Sequence, residues 1–146
     1  MKFLKKGIAM FRSKQPNKPQ SRIDSLIGVG TKIEGNISFT GGLRVDGEIV
    51  GNVTAVAEQP STLVVSEAAR IEGEIRVSHL VVNGAITGPV YTAEFLELQS
   101  RSRVIGDVHY NTLEMHLGAI VEGRLVHRSS ENKPVELKIA ASNTGN

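Results

Sequence analysis

The sequence predicts an all-β fold, a parallel β-helix of about six short turns, from a recurring five-residue unit, its spacing and a core nearly without aromatic rings. The unit reads apolar, polar, glycine, polar, apolar, as in Ile71-Glu72-Gly73-Glu74-Ile75. Its period of two belongs to extended chain and to no helix. On that alternation the glycine shares the buried face with its two apolar flanks, at a bend where the backbone comes too close to its neighbour for a side chain.

Taken in order, the copies are Ile33-Glu34-Gly35-Asn36-Ile37, Val45-Asp46-Gly47-Glu48-Ile49, Ile49-Val50-Gly51-Asn52-Val53, the Gly73 unit, Val82-Asn83-Gly84-Ala85-Ile86, Ile86-Thr87-Gly88-Pro89-Val90, Val104-Ile105-Gly106-Asp107-Val108 and Val121-Glu122-Gly123-Arg124-Leu125. Gly35, Gly51, Gly73, Gly88, Gly106 and Gly123 lie 16, 22, 15, 18 and 17 residues apart. Strand-only repeats this short cannot bury an apolar face alone and must stack on one another. The widest interval holds Ala57-Glu58-Gln59-Pro60-Ser61, a turn inserted into one repeat. Units that share Ile49 or Ile86 mark consecutive faces of one turn. Leu63-Val64-Val65, Leu80-Val81-Val82, Leu96-Glu97-Leu98 and Leu113-Glu114-Met115 supply a further face, so the coil is roughly triangular. Aromatics make up 4% of the chain and tryptophan is absent. A core filled by small branched side chains suits a narrow coil better than a sandwich built around large rings. Without cysteine there are no disulfides and no thiolate metal sites.

The net charge of +2 is unevenly spread. Residues 1–22 carry seven bases and no acid, which leaves ten bases against fifteen acids, or −5, on residues 23–146. A polyanion-binding body is thereby disfavoured, and attraction to anionic lipid falls to the leading segment. Within residues 1–14, Phe3, Leu4, Ile8, Met10 and Phe11 are mixed with bases that include Lys5, Lys6 and Arg12, a composition suited to the membrane interface. The uncharged run Gly7 to Phe11 is too short for a signal peptide or a bilayer span, so the expectation is a cytoplasmic protein at the inner face of the membrane. Residues 15–22, with two prolines and no apolar side chain, read as a linker. The expected organisation is a membrane-targeting segment with its linker over 1–22, a β-helix over 23–128 and an unstructured tail over 129–146.

Ile27-Gly28-Val29-Gly30-Thr31 lacks the third glycine of a dinucleotide fingerprint and the Gly-Lys-Ser/Thr ending of a P-loop, so no nucleotide is expected. His79, His109, His116 and His127 do not align as metal ligands on stacked turns; they read as histidines on solvated strand faces, with no metal or other cofactor implied. The acids at Glu34, Asp46, Glu48, Glu72, Glu74, Asp107 and Glu122 fall on outward positions, where they oppose sideways sheet pairing. No catalytic residues are assigned. A coil of strands leaves an apolar cross-section at each end, and neither flank supplies an amphipathic cap. The expected joint between copies therefore uses Ile27, Ile33, Ile37 and Phe39 at one end and Met115, Leu117, Val121 and Leu125 at the other. Gly35, Gly47, Gly51, Gly73, Gly84, Gly88, Gly106 and Gly123 are the expected structural glycines.

In order along the chain, Ile33-Glu34-Gly35-Asn36-Ile37, Gly42-Leu43-Arg44-Val45-Asp46-Gly47, Val65-Ser66-Glu67-Ala68-Ala69-Arg70-Ile71-Glu72-Gly73, Val82-Asn83-Gly84 and Gly106-Asp107-Val108-His109-Tyr110-Asn111-Thr112-Leu113-Glu114-Met115 resemble the bactofilins, bacterial cytoskeletal proteins. The resemblance covers about Leu26 to His127. It implies a right-handed β-helix that polymerises end to end without nucleotide, attaches to the inner membrane face through a short N-terminal segment, and scaffolds cell-wall or morphogenetic proteins. Met10-Phe11-Arg12-Ser13-Lys14 is similar to that targeting segment, with nine residues preceding it. The alternatives are a hexapeptide-repeat acyltransferase or carbonic-anhydrase-like enzyme, whose strict six-residue period contrasts with turns of 15 to 22 residues here, and a passive monomeric binding module.

Overall fold

Each rung of the coil repeats the same side chain at the same place, and that repetition builds the core. The computed structural model describes residues 22–129 apart from residue 57, and its regular elements are all strands. The first turn contains β1 (Ser25–Ile27), β2 (Lys32–Glu34) and β3 (Ile37–Phe39), and the second β4 (Gly41–Val45), β5 (Glu48–Val50) and β6 (Val53–Ala55). After β7 (Ser61–Val65) and β8 (Arg70–Glu72), β9 (Ile75–Val82) runs from the third turn into the fourth. Past β10 (Ala85–Thr87), β11 (Val90–Leu98) does the same for the fourth and fifth. β12 (Arg103–Ile105) and β13 (Val108–Tyr110) complete the fifth, and β14 (Thr112–Met115), β15 (Ile120–Glu122) and β16 (Leu125–His127) form the sixth.

All pairings are parallel between successive turns. One face is a six-stranded sheet in the order β15-β12-β10-β8-β5-β2, and the two others share a ten-stranded sheet whose strands bend or break at their common corner. The architecture is thus the parallel β-solenoid of about six turns that the repeats predict. In register, Ile33, Ile49, Ile71, Ile86, Val104 and Val121 form one inward column. Leu43, Leu63, Leu80, Leu96 and Leu113 form another. The middle members of both are almost wholly buried. Each such side chain contributes about 1.5–3 kcal/mol, so the interior rungs are held firmly. The members in the first and last rungs are covered on one side only.

One expectation needs correction. Gly73 does not sit within a single strand on the buried face with Ile71 and Ile75. It is the corner between β8 and β9, at φ 151°, and its missing side chain would point along the axis, where a Cβ would lie 2.0 Å from the Gly51 carbonyl oxygen. The bend resets the alternation, which is why both isoleucines still point inward. Gly51, Gly88, Gly106 and Gly123 repeat the arrangement, each facing the glycine of the turn before.

A second corner column follows the faces of β1, β4, β7, β9, β11 and β14. Four of its turns close with a hydrogen bond across three residues, Thr31 N to Gly28 O, Ala69 N to Ser66 O, Ser102 N to Gln99 O and Ala119 N to His116 O, at 3.0–3.1 Å. The two others, Asp46-Gly47 and Asn83-Gly84, are shorter and tuck against a wider neighbour. A Cβ at Gly84 would stand 2.2 Å from Ser66 O. The predicted insertion lies between β6 and β7. Its exit is locked by a reciprocal pair, Ser61 N to Ser78 Oγ at 2.7 Å and Ser78 N to Ser61 Oγ at 3.1 Å.

Candidate functional site

The two ends of the coil carry the expected interface residues. Ile27, Ile33, Ile37 and Phe39 lie on the first turn, partly buried against the core. Met115, Val121 and Leu125 lie on the last, with Leu117 in its wide corner at 95% exposure. Among the described residues β1, β2 and β3 have no strand before them, and β14, β15 and β16 none after them. Their outer edges therefore offer backbone groups to a further strand. Gly35 marks the first end: a Cβ there would meet nothing within 4 Å, whereas the same column inside the coil is closed. Phe3, Leu4, Lys5, Lys6, Ile8, Met10, Phe11 and Arg12 lie outside the described residues, as does nearly all of the expected tail.

The outer surface carries a polar ladder. After Gly35, Gly51 and Gly106 of the corner column stands a residue whose side chain accepts the next turn's backbone N–H. Asn52 N donates to Asn36 Oδ1 at 2.9 Å, Glu74 N to Asn52 Oδ1 at 2.9 Å, and Arg124 N to Asp107 Oδ1 at 3.0 Å. At the fourth turn the position is Pro89, which has no N–H to give, and the residue before it in the column is Glu74. The Arg124 guanidinium also donates to Asp107 Oδ2 at 3.0 Å. These bonds from Arg124 hold the Asp107 carboxyl below the usual carboxylate range. Asp24 is lowered first by the Gly42 N–H and then by Arg22, and Asp46 first by Ser66.

His79 and His109 depart from the solvated reading, while His116 and His127 are exposed as expected. His79 is 4% exposed, its Nδ1 2.9 Å from Ser78 Oγ. His109 stacks on Tyr91, centroids 4.5 Å apart, and Arg76 lies 4.0 Å over the same ring. Burial first, then Arg128, pushes the His109 pKa down. His127 packs at a tilt on Tyr110. His116 bridges two carboxylates, Glu97 at 3.3 Å and Glu114 at 3.1 Å. These three groups could hold a cation, their ligand atoms lying within 4.8 Å of one another. Sequence reasoning missed this cluster, although Leu96-Glu97-Leu98 and Leu113-Glu114-Met115 had already been aligned and that alignment places the two acids side by side.

Comparison with known proteins accords with this geometry. The profile of the family described as "Bactofilin: Polymer-forming cytoskeletal" matches residues 25–126. Bactofilin BacO of Myxococcus xanthus (strain DK1622) is 24% identical over 102 residues, which cover 70% of this chain and 78% of that protein. The structure of the cytoskeletal bactofilin BacA, from solid-state NMR, superposes with a TM-score of 0.64 at 28% identity, covering 74% of this chain and 99% of that one. With a family profile spanning most of the chain and a matching solenoid, this protein belongs to the bactofilin family of polymer-forming cytoskeletal proteins.

Proposed function

We propose that copies of this chain join end to end, without nucleotide, into a filament that serves as a scaffold. The filament is held at the inner face of the cytoplasmic membrane by residues 1–14 and recruits cell-wall or morphogenetic proteins. The observation that carries the reading is the pair of terminal turns: both keep the geometry of the interior turns, and both present half-covered apolar side chains beside strand edges that no described strand pairs. A second copy continues the core at either end and satisfies those edges at once. The charge asymmetry of the sequence supports the membrane contact, since the bases without acids lie in the leading 22 residues.

The test is sedimentation and electron microscopy of the purified chain without nucleotide, beside Ile37→Arg and Leu125→Arg. Wild type should pellet as filaments. Each variant should remain folded by circular dichroism yet stay small, because an unpaired charge buried in a joint is costly. If Leu125→Arg forms filaments of normal length, the last turn is not a joint.

A further inference from the structure

Along the corner where the ten-stranded sheet breaks, the coil carries a groove of about 840 Å³. It opens where residues 56–60 separate β6 from β7, where the register of β11 shifts between Thr92 and Phe95, and where Asn111 interrupts β13 and β14. From β6 to β16 it crosses four inter-strand steps of about 4.8 Å, a length of roughly 19 Å that suits about six extended residues.

Its chemistry is distinctive. Arg76, His109, His127 and Arg128 border it together with small apolar groups, among them Ala55, Val77 and Ala93; Arg76 is paired with Glu74 outside the groove, and among the described residues no Asp or Glu lines it. This is a basic strip on a body whose net charge is −5. The Arg128 guanidinium forms no ion pair among the described residues, and the buried His109 Nδ1 has no hydrogen-bond partner among them. Tyr91 lies between Arg76 of the turn before and His109 of the turn after, so its ring faces are occupied and offer a nucleic-acid base no platform.

We propose that this groove docks an extended acidic peptide segment of a partner protein. Its carboxylates meet Arg128 and share Arg76 with Glu74, and its intervening apolar side chains lie against Ala55, Val77 and Ala93. This gives the client of the scaffold a chemistry, and it rests on that reading only for the client's role, because the binding itself needs no filament. The chain's own residues 130–146 leave from Ser129 at the groove's margin, but there Glu131 and Glu136 are offset by Lys133 and Lys138. A net-negative segment from another chain is the better complement.

The experiment is fluorescence anisotropy on the full chain with a labelled peptide of about six residues alternating glutamate and valine, beside its lysine–valine counterpart. It is read the same way for filament or monomer, so a failure of self-assembly does not mimic a failure here. The acidic peptide should bind and the basic one should not. Binding should weaken about tenfold in Arg128→Glu, recover in Arg128→Lys, and fall with added salt. Arg128 is an exposed residue at the end of the described chain, and circular dichroism of Arg128→Glu confirms the fold. Equal affinity for the basic peptide, or an Arg128→Glu affinity within about twofold of wild type, overturns the proposal. So does a tightening of about tenfold when Glu131 and Glu136 are both replaced by glutamine, which would make the chain's own tail the occupant.

Discussion

At Gly73 the coil turns a corner that an L-residue side chain would obstruct twice over. The φ of 151° is one that L side chains rarely adopt, and the space a Cβ needs is filled by the Gly51 carbonyl of the turn before. Carbonyl and corner both belong to the backbone ladder, so neither yields as a flexible side chain would. Gly73→Ala should therefore destabilise the fold by about 2 kcal/mol or more, with the cost read from the midpoint of chemical denaturation. Gly35→Ala is the matched control. It shares the backbone strain, at φ 138°, but meets open space, so its cost should be smaller. Equal midpoints for the two variants would mean that the contact with Gly51 carries no energetic weight.

Each turn is tied to the next on its outside as well as through its core, and Asp107 shows how. One carboxylate oxygen accepts the Arg124 N–H and the other the Arg124 guanidinium, which lowers the Asp107 pKa below its unfolded value. A depressed carboxylate contributes stability that is complete above its unfolded pKa of about 4 and is lost as pH falls through the folded pKa. Asp24 and Asp46 are shifted in the same direction. Unfolding midpoints measured from pH 6 down to pH 2 (a range set by the ordinary carboxylate pKa of about 4) should decline on the acid side, and Asp107→Asn should decline less steeply. The amide keeps the backbone acceptor but has no proton to gain; an identical slope would show that Asp107 titrates alike in folded and unfolded chains. Much of this element-scale order was legible in the sequence, because a period-two pattern, a glycine at each bend and a recurring Leu-x-Leu or Leu-x-Val triplet each report a local constraint. The corner geometry was not, since alternation carries no sign of where it is reset: Ile71 and Ile75 point inward whether Gly73 lies in a strand or between two. The burial of His79 and the stacking of Tyr91 on His109 were equally hidden, because both depend on which residues of distant turns fall in register, and the irregular corner near residues 56–60 sets that register.

For the whole molecule, the proposed membrane attachment requires that a rod with an acidic body be held at an anionic surface. The seven bases and five bulky apolar side chains at its leading end provide the only sequence-level attraction, and they lie outside the described residues. One copy offers a few anchors and roughly 1 kcal/mol for each base near the surface, which is weak and reversible. A filament presents many copies on one backbone, so after the first contact each further one is effectively intramolecular and the total rises by avidity. Membrane binding should thus need both the leading segment and assembly. Deleting residues 1–14 should leave filaments that no longer float with anionic liposomes in a density gradient. Leu125→Arg, with its leading segment intact, should bind the same liposomes far more weakly than wild type. Added salt should release wild type and Leu125→Arg alike, because the attraction between exposed bases and lipid headgroups is screened within about 8 Å at physiological ionic strength. Flotation of the filaments lacking residues 1–14 to the wild-type extent would move the membrane contact onto the body of the coil, and flotation of Leu125→Arg equal to wild type would remove avidity from the account.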